Sequence, residues 1–306
     1  HGAKGAATVT ATAGGLRATA SFAIPEALTS ITIKHEGKNT ALSSLRVAGG
    51  STTELTATGW YYGNKVYSAD TSFTWSVSDA LGTIDEDGTF TAVQTGRDVT
   101  GTLTVTYGET SCTLPVTVGS SQPFDDTKGH WAESYITELY YAGTLQGSEK
   151  NGKLYYRPDA SMTRQEFIVA MMRYLGTDLS AYASVQLPFD DSGSIASWAK
   201  SAMQAAYQLG YLTGSKTNGK LLAKPGSTIS RQEAMTILSR TKDFADADLN
   251  VLSAFSDSGK IADWARTALA QMTQQKIISG SKGKLNPTGK VTRAEVAKML
   301  YMLSER

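Results

Sequence analysis

The chain is poor in the residues that most often carry chemistry. It has one cysteine, Cys112, and three histidines, His1, His35 and His130. A single cysteine excludes an internal disulfide framework, and as part of an alternating apolar segment Cys112 is expected to be buried. The histidines have no metal-ligand spacing, so no metal and no cofactor are expected. Long apolar runs are absent, and with them any stretch able to span a bilayer as a helix. Charge of one sign is missing too: 29 Lys and Arg stand against 28 Asp and Glu, a net of +1 without a basic run. Nucleic-acid binding therefore has no electrostatic support. No Ser-His-Asp or Cys-His set can be assembled. The paired acids Asp125-Asp126 and Asp190-Asp191 have the residue type of glycosidase carboxylates, but the corresponding third pair is Ser256-Asp257. A catalytic pair has no need of triplication, whereas a binding site gains from it, so this chain is expected to bind and not to turn over substrate. It opens on His1 instead of Met, so an export signal is expected to have been removed or never included.

What the sequence does have is a block repeated three times. It starts at Phe124, Phe189 and Phe255, with spacings of 65 and 66 residues, which identifies three copies of one structural unit. The first copy contains Phe124-Asp125-Asp126, Trp131-Ala132, Gly143 through Gly147-Ser148, Arg157-Pro158 and Thr163-Arg164-Gln165-Glu166. The second has Phe189-Asp190-Asp191, Trp198-Ala199, Gly210 through Gly214-Ser215, Lys224-Pro225 and Ser230-Arg231-Gln232-Glu233. The third has Phe255-Ser256-Asp257, Trp264-Ala265, Gly280-Ser281, Asn286-Pro287 and Thr292-Arg293-Ala294-Glu295, with a shorter stretch between Gly280 and Pro287.

Each copy reads as helix, loop, helix. Trp131, Tyr135, Ile136, Leu139 and Tyr140 recur at helical spacing before Gly143; Phe167, Ile168, Met171, Met172 and Leu175 do so before Gly176. Helices with one apolar face cannot stand alone, and three pairs are expected to close around a shared axis. Thr163 with Glu166, Ser230 with Glu233 and Thr292 with Glu295 have capping-box spacing, and Met162, Ile229 and Val291 are placed to staple onto the helix behind them. The arginines are the anomaly. A cation in the first turn meets the positive end of the helix dipole, at a cost of roughly 0.3–1 kcal/mol. A bound anion at the helix end would relieve this; so would an intramolecular partner such as Asp126, Asp191 or Asp257. Trp131, Trp198 and Trp264 are open to two readings. Periodicity favours core, while a Trp in a first turn can also show one face to a groove and stack on a sugar.

The segment before the repeats is of another kind. From residue 30 to 118 it is rich in Thr, Ser and Gly, and its apolar residues alternate: Phe73, Trp75, Val77; Leu103, Val105, Tyr107; Leu114, Val116, Val118. Alternation predicts strands with one buried face, and Asp87-Gly88 and Tyr107-Gly108 mark turns. Short strands at this spacing predict a β-sandwich of about ninety residues. Asp85-Glu86-Asp87 lacks the full spacing of a calcium loop and reads as a solvated turn. Residues 6–24 read as a hairpin resembling that at 101–118, and are expected to be the tail of a preceding module.

The triplicated pattern resembles the S-layer homology family, over residues 122–306. The resemblance implies a pseudo-threefold all-α trimer of helix-loop-helix repeats, with repeats at 122–186, 187–252 and 253–306. Before them stand a hairpin at 1–29 and, at 30–119, a segment similar to bacterial immunoglobulin-like domains of surface proteins. It implies an extracellular, monomeric cell-wall anchor with an immunoglobulin-like spacer. Its partner would be an anionic wall glycan, either a polysaccharide ending in pyruvylated N-acetylmannosamine or modified peptidoglycan, bound in grooves between repeats. By that resemblance Arg164, Arg231 and Arg293 clamp the carboxylate, and Trp131, Trp198 and Trp264 wall the sugar. Asp126, Asp191 and Asp257 hold hydroxyls or orient the arginines, and Gly147, Gly214 and Gly280 let backbone N–H groups approach. Lys276, which replaces a glycine, and Ala223, which replaces an aromatic, are departures; at least one groove is expected not to bind. Two other functions fit the same sequence: the anchor of a surface enzyme with an upstream catalytic domain, and an adhesin or lattice protein acting through its immunoglobulin-like module.

Overall fold

In a computed structural model, residues 5–24, 28–61, 64–66 and 72–304 are described. The chain divides into two compact units, residues 1–121 and 122–306.

In the first unit, β1 (Gly5–Ala13) and β2 (Leu16–Ile24) form a two-stranded antiparallel hairpin. Its Gly14-Gly15 turn has positive φ at both residues, the condition that lets two residues reverse a hairpin. Nine strands follow among the described residues: β3 (Ser30–His35), β4 (Leu45–Ala48), β5 (Thr52–Tyr61), β6 (Asn64–Val66), β7 (Thr74–Val77), β8 (Gly82–Ile84), β9 (Thr89–Ala92), β10 (Val99–Tyr107) and β11 (Thr110–Gly119). They form one sheet in the order β4-β11-β10-β7 and another in the order β3-β5-β9-β8, with β6 on β5. The β4–β11 pairing is parallel, Val116 opposite Leu45. Leu103, Val105, Leu114, Val116 and Val118 from one sheet and Ile31, Ile33, Leu55 and Phe90 from the other share one core. The alternation in the sequence is this buried face. Cys112 lies opposite Val105 and is only half-buried, less than the alternation predicts. Asp85 accepts hydrogen bonds from its own turn, at Asp87 N and Thr89 N.

The second unit has six helices among its described residues: α1 (Glu133–Tyr141), α2 (Arg164–Tyr174), α3 (Lys200–Gln208), α4 (Arg231–Ser239), α5 (Asp263–Gln274) and α6 (Arg293–Ser304). It is not purely helical. The loops of the first two copies carry short hairpins, β12 (Ser148–Lys150) with β13 (Lys153–Tyr155) and β14 (Ser215–Thr217) with β15 (Lys220–Leu222). Asn151-Gly152 and Asn218-Gly219 turn them with positive φ at both residues, the Asn-Gly signature of a tight hairpin. The third copy keeps only the turn, Lys282-Gly283, closed by a single Ser281–Lys284 bridge.

The helices pack across copies: α2 on α3, α4 on α5, and α6 back on α1. At the centre, Met162 N donates to Val291 O, Val291 N to Ile229 O, and Ile229 N to Met162 O, at 3.0–3.1 Å. All three side chains are buried. The residues expected as staples thus form a closed backbone ring that joins the three copies. Lys276 holds the helix-ending place of Gly143 and Gly210 with φ of 56°, a left-handed conformation costing a non-glycine residue about 1 kcal/mol.

Candidate functional site

The three second helices begin alike. Glu166, Glu233 and Glu295 each use Oε2 to accept the N–H of their capping residue, at 2.8–2.9 Å, and their own N–H groups donate back to Thr163, Ser230 and Thr292 Oγ. The next donors are taken as well. Arg164 N and Gln165 N donate to Ser227 O and Pro225 O, Arg231 N and Gln232 N to Gly289 O and Pro287 O, and Arg293 N and Ala294 N to Ala160 O and Pro158 O. A helix start binds anions through unpaired N–H groups. Here the neighbouring copy's proline loop fills them, so the helix-end half of the expected anion site is not available.

Two of the three arginines find their counter-charge in a glutamate, not in an aspartate. Arg164 Nη2 pairs with Glu233 Oε1 of the next copy, and Arg231 Nη1 with Glu295 Oε1 at 2.7 Å. Each of these glutamates therefore caps its own helix with one oxygen and holds the preceding copy's arginine with the other. Arg231 Nε also donates to Leu285 O. Arg293 is held differently: Nε donates to Tyr156 O and Nη2 to Gln146 O, and its guanidinium lies 4.5 Å from the Tyr156 ring centre. Burial pushes the Glu233 carboxyl up, but Ser230 and Arg164 outweigh it and the net shift is downward. Burial also pushes the Tyr156 phenol up, against the opposing pull of Arg293.

The tryptophans are not core. Trp131, Trp198 and Trp264 expose 55%, 57% and 58% of their surface, which overturns the reading from periodicity. Side-chain amides set the backbone beside two of them: Gln165 Oε1 accepts from Ala196 N and Gln232 Oε1 from Ala262 N, each two residues ahead of a Trp.

The aspartates are held by the loops. Asp126 accepts from Tyr156 N and Arg157 N, Asp191 from Ala223 N and Lys224 N, and Asp257 from Leu285 N and Asn286 N, all at 2.7–2.9 Å. Both oxygens of each carboxylate are occupied, at loops where Arg157, Lys224 and Asn286 adopt positive φ. Burial raises the Asp257 carboxyl, but the Leu285 and Asn286 N–H groups more than offset it, leaving it below its ordinary value. A depressed carboxylate contributes stability above its unfolded value that is lost as pH falls through the folded one. Acidification below about pH 4 is therefore expected to lower the melting temperature. Asp257→Asn, which keeps one acceptor of two, is expected to cost about 1–3 kcal/mol at pH 7 and to flatten that acid limb; calorimetry from pH 3 to 7 measures both.

The glycines face inward. A Cβ on Gly147 would lie 2.4 Å from the Phe124 ring, one on Gly214 2.6 Å from Phe189, and one on Gly280 2.8 Å from Phe255. The first residue of each repeat and its loop glycine are a packing pair.

Arg164, Arg231, Trp131, Trp264, Gly214 and Gly280 come together in grooves built from all three copies, whereas Asp126, Asp191 and Asp257 line neither. One, with a cavity of about 360 Å³, has Arg164 from the first copy, Glu233, Arg240 and the Tyr211–Ser215 loop from the second, and Trp264 from the third. Another, of about 680 Å³, has Trp131 from the first copy, Arg231 from the second, and Glu295, Lys298 and the 277–286 loop from the third. Continuing the same permutation pairs Arg293 and Trp198 with the loop of the first copy. Ala223 lines the first groove, and Lys276 is not among the lining residues of the second. Sequence reasoning missed the second use of the glutamates and missed Arg240, whose Nη1 donates to Tyr211 O at 2.8 Å. The glutamate was already explained by its cap, and nothing local marks Arg240.

The description "S-layer homology domain" matches residues 123–168, 188–235 and 254–297. Among curated proteins, an amylopullulanase of Thermoanaerobacterium thermosulfurigenes is 28% identical over 208 residues, 66% of this chain and 10% of that one. The exoglucanase XynX of Acetivibrio thermocellus is 28% identical over 243 residues, 76% of this chain and 21% of that one. A surface-layer 125 kDa protein of Lysinibacillus sphaericus is 32% identical over 129 residues, 40% of this chain and 10% of that one. The chain thus spans a tenth to a fifth of these relatives' length. Among solved structures, domains 4–9 of the surface layer protein SbsC align with 40% of this chain and 19% of that one, at a TM-score of 0.22 and 18% identity. Residues 123–168, 188–235 and 254–297 are therefore three tandem S-layer homology domains, a repeat that marks association with the cell surface.

Proposed function

We propose that the repeats anchor this chain non-covalently to an acidic glycan of the cell wall, with a sugar-borne carboxylate lodged in grooves between copies. One observation carries the reading: an exposed Trp and a largely buried Arg, from different copies, line the same groove. The Trp offers an apolar face for a sugar ring. The guanidinium, fixed by its glutamate, keeps N–H donors for a carboxylate, since it has five in all. A second cation, Arg240 in one groove and Lys298 in the other, offsets the repulsion between that glutamate and the ligand. Terminal N-acetylmannosamine bearing a pyruvate ketal has the required ring and fixed carboxylate. The first unit acts as an immunoglobulin-like spacer. The hairpin at its start would be the end of a preceding module: Gly5, Thr8, Val9 and Thr10 match Gly101, Thr104, Val105 and Thr106 of the closing hairpin. Relatives that are enzymes and a surface-layer protein support the view that such repeats hold varied cargo.

Calorimetric titration with pyruvylated and unpyruvylated N-acetylmannosamine tests the reading. A charge-assisted hydrogen bond contributes about 1.5–3 kcal/mol, so loss of the ketal is expected to weaken binding about tenfold to a hundredfold. Equal affinity for the two sugars, or no binding of either, would refute it.

A further inference from the structure

The two grooves differ in charge. Beside Trp264 stand two cations, Arg164 and Arg240, and one carboxylate, Glu233. Beside Trp131 stand four cations, Arg231, Lys282, Lys284 and Lys298, and again one carboxylate, Glu295. Three features of the third copy accompany the difference. The shortened third loop brings the Lys282-Gly283 turn to the groove where the other copies have a full hairpin. In the second copy the counterpart of Lys284 is Lys220, which is not among the residues lining the Trp264 groove, and Ser256 of the third copy stands where the others have Asp125 and Asp190. Lys298 occupies the helix position of Val169 and Thr236. The more basic groove is also the roomier, about 680 Å³ against 360 Å³.

We infer that the Trp131 groove takes a doubly charged saccharide unit, such as a sugar phosphate monoester, whereas the Trp264 groove takes a singly charged one. This rests on the groove-binding reading above. Extra like charges around a cleft raise local counter-ion concentration, and two negative charges on one ligand draw on three more lysines than one carboxylate needs. Two grooves of unlike preference on one rigid unit would grip two different residues of a heteropolymer, which raises avidity only on a wall that carries both.

The grooves carry their own reporters. In ¹H–¹⁵N spectra the indole N–H signals of Trp131, Trp198 and Trp264 are assigned with Trp→Phe variants, and Trp60 and Trp75 of the first unit serve as references. The probes are N-acetylmannosamine 6-phosphate, pyruvylated N-acetylmannosamine and inorganic phosphate. The sugar phosphate is expected to move Trp131 at about tenfold lower concentration than Trp264, corresponding to roughly 1.4 kcal/mol, while the ketal sugar moves the two at similar concentrations. Combining Lys282→Asn, which copies the turn residue of the other repeats, with Lys284→Gln and Lys298→Gln is expected to abolish the phosphate preference without altering the Trp264 response. Equal responses to the sugar phosphate, a preference that survives the triple substitution, or the same shifts from inorganic phosphate alone would each overturn the inference. If neither sugar moves any groove indole, the anchoring reading fails and takes this one with it.

Discussion

Replacing Trp131 and Trp264 together by alanine is expected to abolish retention on purified cell-wall sacculi while leaving the melting temperature of the repeat unit almost unchanged. Each ring exposes more than half of its surface, and a substitution at such a site changes stability by about 0.5 kcal/mol or less. For a unit of this size that is about 1–2 °C. Binding is another matter, because an aromatic anchor in a groove typically contributes 2 kcal/mol or more, about thirtyfold in affinity per groove. Losing both also removes the multivalent advantage of one body on a polymer. Arginine variants cannot separate recognition from folding so cleanly. Arg231→Ala strands Glu295 and the Leu285 carbonyl, and Arg164→Ala strands Glu233. Co-sedimentation and calorimetry on the same double variant give the answer: undiminished retention, or a melting temperature lowered as by a core substitution, would show that the rings do not face a ligand.

Much of the unit was legible from the sequence because it depends on local rules repeated three times. The Thr/Ser-x-x-Glu spacing fixed the second helices, which start at Arg164, Arg231 and Arg293. Helical spacing and Gly143 bounded α1. Periodicity misplaced the tryptophans in the core for a definite reason: Trp131 lies two residues ahead of α1, Trp198 in a 3₁₀ turn before α3 and Trp264 in the first turn of α5, where helical periodicity is a poor guide to which way they face. The assignment of partners was invisible for a different reason. Arg164 meets Glu233, and Arg231 meets Glu295, 69 and 64 residues away, because the copies close into a ring. A repeat read along the chain presents its Arg, Trp and Gly as one set, but the Trp264 and Trp131 grooves each draw their Arg, their loop and their Trp from three different copies. The aspartates have an unexpected function, since nothing local reveals that two loop N–H groups thirty residues on will claim both oxygens.

The loop glycines give the second large effect. Gly214→Ala is expected to destabilise the repeat unit, not merely weaken a groove. Its Cβ would sit 2.6 Å from the Phe189 ring and 3.1 Å from Leu222 O, at a φ of 72°. Overpacking a core costs about 1–3 kcal/mol, and left-handed backbone adds about 1–2 kcal/mol for a non-glycine residue. Together they predict a fall in melting temperature of about 5–15 °C. The ring changes how that loss spreads. In an open stack of repeats each unit contacts only its neighbours and an end can fray. Here α6 packs on α1, and Met162, Ile229 and Val291 close the backbone circuit, so no copy is terminal. Damage at Phe189 should therefore melt the whole unit in one transition and shift the Trp131 and Trp264 environments together, although neither residue belongs to the second copy. Trimming the ring with Phe189→Leu in the Gly214→Ala background should recover part of the loss, because the two positions are in contact and their effects are not additive. Unchanged stability in Gly214→Ala would mean that the loop, not the Phe189 core, yields to the added methyl. Two separate transitions would mean that the copies fold without the support of the ring.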